Sequence, residues 1–175
     1  MKDGDWERIN ITIVTFTRRD VILRQLETAL GLWFQEGDMI SVHTLAASAR
    51  QVAHDVGEKE GKPSNLISKL TPEQRRRQFK FQNYFKHADK DPNATLHFAP
   101  EITETHLYDA ILSYGKIYGG LSHLMRAFSY FYILHRPNVF PEQYPAIFEV
   151  SVSERLRKLD RREFLHVFTQ ELGKL

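Results

Sequence analysis

Between Gln82 and Pro92 the chain reads Gln82-Asn83-Tyr84-Phe85-Lys86-His87-Ala88-Asp89-Lys90-Asp91-Pro92. These residue types could do chemistry together. An imidazole titrates near neutrality, so His87 could move a proton or bind an anion. Asn83 lies four residues earlier, and if the helix persists the two share one face about one turn apart. The opposing reading is that His87 caps its helix or bonds to the turn running into Pro92. Arg75, Arg76, Arg77, Lys80, Lys86 and Lys90 stand against only Glu73 and Asp89 in the same segment. Such an imbalance suits phosphate, although a solvated helix face has the same composition. A second basic cluster joins Arg155, Arg157, Lys158, Arg161 and Arg162.

His87, Asp89 and Asp91 are also hard or borderline metal ligands close in sequence, and a metal-dependent hydrolase built on them is a weaker alternative. The run from Asp89 departs from a calcium loop. Ala94 stands where the sixth-position glycine belongs, Pro100 stands at the twelfth position, and Glu101 is one residue late. Aspartates before a proline suit Asx-type turns. His43 and His54 share a face of the second helix with Arg50 but lie eleven residues apart, about 16 Å in a straight helix, so they cannot hold one metal and mark a polar edge. No metal site and no cofactor is expected. Glycine loops for phosphate, a Gly-x-Ser-x-Gly elbow and a His-Glu-x-x-His pair are all missing from the sequence.

Length and composition bound the rest. The 175 residues fit one domain, residues 1–175, with 42% hydrophobic, 12% aromatic and 26% charged residues, which is ordinary globular usage. Without cysteine there are no disulfides, thiolate zinc sites or thiol nucleophile. The opening Met1-Lys2-Asp3-Gly4-Asp5 has no apolar core behind a basic start, and the apolar run Phe128 to Leu134 is too short to span a bilayer. The expectation is a cytoplasmic protein with no membrane partner. A net charge of +2 is no global nucleic-acid signature.

The elements that must position these residues read as five or six helices with a small ribbon. Alternation over residues 9–16, rich in β-branched side chains, predicts a strand, paired with residues 94–98. Thr17 with Asp20 makes a capping box for the first helix, which runs to Gly37, and Asp38 caps the second, which Gly57 ends. Thr71-Pro72-Glu73-Gln74 is the strongest helix start in the chain, and that helix carries the basic cluster to His87. Residues 103–118 form another helix stopped by Gly119-Gly120. Ser122 caps an aromatic helix ending at Pro137. Residues 138–145 form a loop before a C-terminal helical segment, where Asp160 and Glu163 make a third capping box. Phe128, Tyr130, Phe131 and Tyr132 cover more than one side of their helix, so they either fill this chain's core or meet a second copy.

The stretch Asn83-Tyr84-Phe85-Lys86-His87-Ala88-Asp89 with Asp91-Pro92, preceded by His43-Thr44-Leu45-Ala46 and Gly61-Lys62-Pro63-Ser64, resembles a widespread bacterial family of uncharacterised, mostly helical proteins over about residues 10–120. The same stretch resembles the motif of the HEPN superfamily of helical nucleotide- and RNA-binding domains. Active members pair an arginine, commonly followed by asparagine, with a histidine four to six residues on. Asn83 and His87 match; Gln82 stands at the arginine position. The resemblance implies His87 and Asn83 as the catalytic pair and a site built across a homodimer axis. Glutamine can donate a hydrogen bond but carries no charge to offset a phosphoryl transition state, and Arg77, ten residues before His87, is about 15 Å away along a helix.

The sequence thus predicts an all-α, bundle-like domain of five to six helices with a minor two-stranded ribbon. Its leading function is that of a HEPN-like homodimer binding RNA or nucleotide phosphate through Arg75, Arg76, Lys80, Gln82 and Lys86 beside Asn83 and His87, with ribonuclease activity doubtful. The alternative is a non-enzymatic homodimeric interaction module working through its aromatic C-terminal half.

Overall fold

The computed structural model describes residues 12–64, 66–87, 92–136 and 150–172. Among them are seven α-helices: α1 (Arg18–Phe34), α2 (Met39–Lys59), α3 (Pro72–Lys86), α4 (Pro100–Tyr118), α5 (His123–Leu134), α6 (Val150–Arg157) and α7 (Arg161–Val167). A short 3₁₀ turn, Ile67–Lys69, precedes α3, and a π turn, Phe168–Leu172, follows α7.

The helix starts follow the capping chemistry in the sequence. Thr17 and Asp20, Thr71 and Gln74, and Asp160 and Glu163 each form a reciprocal capping box, while Asp38 and Ser122 accept single bonds from Ser41 and Met125 backbone N–H groups. These bonds satisfy amides that have no partner inside the helix. α2 continues two residues past Gly57 to Lys59. Gly57 has another duty. A Cβ there would lie 2.4 Å from the Lys62 carbonyl oxygen, so only glycine lets the chain fold back on the helix end.

Side-chain pairings give the direction of each helix. His43 meets Thr103 and Arg50 meets Asp109, a near-constant offset that makes α2 and α4 parallel neighbours. α1 runs against α2, with Gln25 bonded to Ser48, and against α4, with Arg19 bonded to the Tyr114 hydroxyl. α5 runs with α1, since Ser122 meets Glu27 and Trp33 meets Phe128, and against α4, since Glu104 meets Arg136 and Thr105 meets Tyr132. The result is a four-helix bundle of α1, α2, α4 and α5 whose parallel α2–α4 pair needs a long crossover. α3 lies in that crossover. α6, α7 and the π turn after them add Leu156, Phe164 and Phe168 to the core, all buried.

Among the described residues the two-stranded ribbon is not seen. Among the described residues there is no strand; residues 12–16 and 94–98 carry no regular structure, and residues 9–11 lie outside the described part. Ile13, Val14 and Phe16 are exposed, so over residues 12–16 the alternation marks β propensity without the half-buried face that would recruit a partner. Leu96 and Phe98 are half-buried, and Phe98 packs on Phe81 and Phe85 of α3. The loop expected at 138–145 also lies outside the described residues. Among those described, no helix is long and apolar enough to cross a membrane.

Candidate functional site

α3 has two unlike faces. Gln78, Phe81 and Phe85, at helical spacing, point at the bundle: Phe81 is buried and Phe85 half-buried, and Gln78 accepts a 2.6 Å hydrogen bond from Arg50 Nη1. Arg76, Lys80 and Asn83, also at helical spacing, are exposed. Lys86 is exposed too, while Arg75 and Gln82 are half-buried along the border between the faces. Arg77 is held by Glu73 at 2.6 Å in an exposed pair. Among the described residues no carboxylate lies within ion-pair distance of Arg76, Lys80 or Lys86. Arg75 Nε is buried without a hydrogen-bond partner.

His87 does not continue this stripe. The helix ends at Lys86, and His87 is its C-cap in extended geometry (φ −130°, ψ 94°), its backbone N–H donating to the Asn83 carbonyl at 3.0 Å. The i, i+4 relation survives in the backbone, and His87, one residue past the end of the helix, is exposed. The segment after it is tied down where it returns: Tyr84 donates its hydroxyl hydrogen to the Ala94 carbonyl at 2.6 Å. Asp89 and Asp91 lie outside the described residues, and among those described no group of three or more histidines and carboxylates could hold a metal ion.

Beneath α3 lies a polar seam that the sequence reading placed at an edge. His43 and Arg50 are interior, at 0% and 3% exposure, and face Thr103, His106 and Asp109 of α4, none of them exposed above 2%. Arg50 Nε donates to Asp109 Oδ2 at 2.7 Å, and Ser64 donates to the same carboxylate at 2.9 Å. Ser64 is brought there by the loop after α2, which Lys62 and Lys116 fasten by donating to the carbonyls of Ile117 and Pro63. His43 Nδ1 lies 3.0 Å from Thr103 Oγ1, and its ring sits 5.0 Å from that of His106. Edge-on contacts to Phe81, Phe85 and Phe98 at 5.3–6.0 Å enclose His43.

Burial first, and the Arg50 charge second, push the His43 pKa down from 6.5 to about 4; the same causes, with His43 added, push His106 down to about 2. Both imidazoles are therefore neutral in the fold. Burial lowers the Arg50 pKa from its ordinary value while the Asp109 hydrogen bond and charge oppose the shift. His54, by contrast, remains at the half-buried edge expected for it, with Nδ1 3.8 Å from Glu58.

A sequence signal for the seam existed. Thr103, His106 and Asp109 recur at three-residue steps in α4, and His43 and Arg50 are two turns apart on α2. Their phase is that of the core residues beside them, Ala46 and Ala53 on α2 and Ala110 on α4. The other candidate surface has the opposite fate. Phe128, Phe131, Tyr132, Ile133 and Leu134 are buried within this chain, and half-buried Tyr130 packs on Phe168, so the aromatic helix fills the core.

Comparison with protein-family models, curated proteins and solved structures gives no match for this chain.

Proposed function

We propose that the protein is a HEPN-like helical domain that binds RNA or nucleotide phosphate along the exposed face of α3 in the cytoplasm, without efficient strand cleavage. One observation carries the reading: Arg76, Lys80 and Asn83 form an exposed stripe on a helix whose other face is fixed to the bundle. Cations spaced about 6 Å apart along a rigid helix can follow successive phosphates without each paying its full ordering cost. Lys86 and His87 extend the donor set at the helix end, and Gln82, half-buried beside them, can donate a hydrogen bond to a phosphate oxygen.

Cleavage is weakened by the same geometry. Gln82 offers no charge to a developing oxyanion, and His87 stands past the end of the helix that carries Asn83. The homodimer implied by the resemblance would set two α3 faces across a two-fold axis. The interaction-module alternative loses its proposed surface, because the α5 rings are spent inside the chain.

The test is a binding and cleavage assay on short single-stranded RNA. Wild type is expected to bind and to leave the RNA intact, and His87→Ala is expected to bind with little change. Rapid cleavage abolished by His87→Ala would overturn the non-catalytic reading, and absence of RNA binding would overturn the site.

A further inference from the structure

A cleft of about 450 Å³ is lined by α1, α5, α7 and the turn after α7, and by no residue of α3 or of the polar seam. α1 presents Gly31, Phe34 and Gln35, which share one helical row. Facing them, Arg162, Leu165 and His166 of α7 form a second row that Thr169 extends. The volume lies within the range of about 300–1,000 Å³ that holds small organic molecules.

Gly31 is the first sign that the cleft is meant to be open. Glycine inside a helix weakens it, so its presence needs a reason. Nothing in this chain supplies one: Gly31 is not among the positive-φ residues, and a Cβ there would meet no atom within 4 Å. The missing side chain instead leaves free the space that Phe34 and Leu165 also border.

The lining selects the ligand. Gly31, Phe34, Leu124 and Leu165 offer apolar surface, and Arg162 is the one permanently charged side chain among the lining residues, with no carboxylate among them. Arg162 Nη2 donates to the Gln35 backbone carbonyl at 2.7 Å, which ties the guanidinium to the end of α1 and leaves its Nε and Nη1 to donate elsewhere. The nearest carboxylates in sequence are engaged: Glu163 accepts from the Asp160 backbone N–H at 3.1 Å, and Glu27 accepts from the Ser122 hydroxyl. Thr169 gives its single hydroxyl hydrogen to the Leu165 carbonyl at 2.7 Å, so at 2.9 Å it can only accept from His123 Nε2. A cationic ligand would find no counter-charge here, and a phosphate dianion would face one permanent cation. The geometry points to a binding site for a monocarboxylic acid with a short apolar tail, its carboxylate on Arg162 and its tail over Gly31 against Phe34 and Leu165. This site stands or falls independently of the RNA reading.

The experiment is calorimetric titration of the full chain with sodium phenylacetate and sodium hexanoate, with 2-phenylethanol as the control for charge and sodium acetate as the control for the tail. The expected result is saturable binding of one acid per chain, about tenfold tighter than either control, the scale of one charge-assisted hydrogen-bonded contact. Arg162→Gln should weaken the acids about tenfold and leave 2-phenylethanol unchanged. Gly31→Leu should abolish binding by filling the cleft while melting no lower than wild type, since the helix gains a better former and the new side chain meets open space. Circular dichroism would show that both variants are folded. Absence of saturation at tens of millimolar acid, equal affinity for phenylacetate and 2-phenylethanol, or acid binding undiminished in folded Arg162→Gln or Gly31→Leu would each overturn the proposal.

Discussion

Two aromatic clusters occupy this bundle, and they are built on opposite principles. Around Trp33, the rings of Phe34, Phe128 and Phe131 pack edge to face at 4.8–5.0 Å, and Phe164 and Phe168 extend the cluster. Charge is kept to its rim, where Arg161 lies over the Trp33 ring at 4.2 Å and Glu104 joins Arg161 to Arg136. Around His43, the rings of Phe81, Phe85 and Phe98 surround imidazoles, with a guanidinium–carboxylate pair further along the seam. The first cluster stabilises by burial and ring geometry. The second sets that gain against desolvation of polar groups.

The comparison can be broken at its apolar side first. Trp33→Ala should cost about 3–5 kcal/mol, because a large ring leaves a cavity that helices α1, α5 and α7 cannot all close. Denaturant unfolding would show a lower midpoint at unchanged slope. Asp109→Ala should cost about as much, roughly 3–5 kcal/mol, for a different reason: it leaves Arg50 charged and buried without its carboxylate. Arg50→Met/Asp109→Leu should recover most of that loss, since it removes both charges together. A double variant no more stable than Asp109→Ala would show that the pair matters for something other than its own desolvation.

Acid should separate the clusters without any mutation. His43 and His106 have folded pKa values of about 4 and about 2, below the ordinary 6.5, so the unfolded chain binds protons that the fold refuses. Stability should therefore fall as pH drops below about 6.5, by about 1.4 kcal/mol per pH unit for each imidazole, until His43 begins to protonate in place near pH 4. His106→Leu should flatten the profile by about half. An unchanged profile in that variant would mean that the seam is open to solvent.

The sequence disclosed the helices better than it disclosed their insides. Thr17, Asp38, Thr71, Ser122 and Asp160 announced helix starts because capping is local: the side chain and the amide it satisfies lie within one turn. The ribbon is not seen among the described residues because alternation over residues 12–16 records only propensity, and a strand needs a neighbour that residues 94–98, occupied with α3, do not supply. His43 and Arg50 looked like an edge because polar residues usually face water, and only the parallel packing of α2 on α4 reveals their partners. The basic cluster of Arg75, Arg76 and Lys80 was legible from composition and the Asn83–His87 pairing from spacing, but the row that joins Arg76 and Lys80 to Asn83 was not drawn. That His87 is the C-cap and not a helical residue was not legible either, since it depends on where the cap geometry ends the helix.

The proposed function rests on that exposed row, and the dependence of RNA affinity on salt tests it most directly. Wild type and Arg76→Gln/Lys80→Gln, both verified as folded, would be titrated with labelled single-stranded RNA over a series of salt concentrations. The account predicts that the logarithm of affinity falls linearly with the logarithm of salt, and that the double variant loses about 0.7 from the slope for each phosphate contact removed, about 1.4 in all. Equal slopes for the two proteins would contradict it.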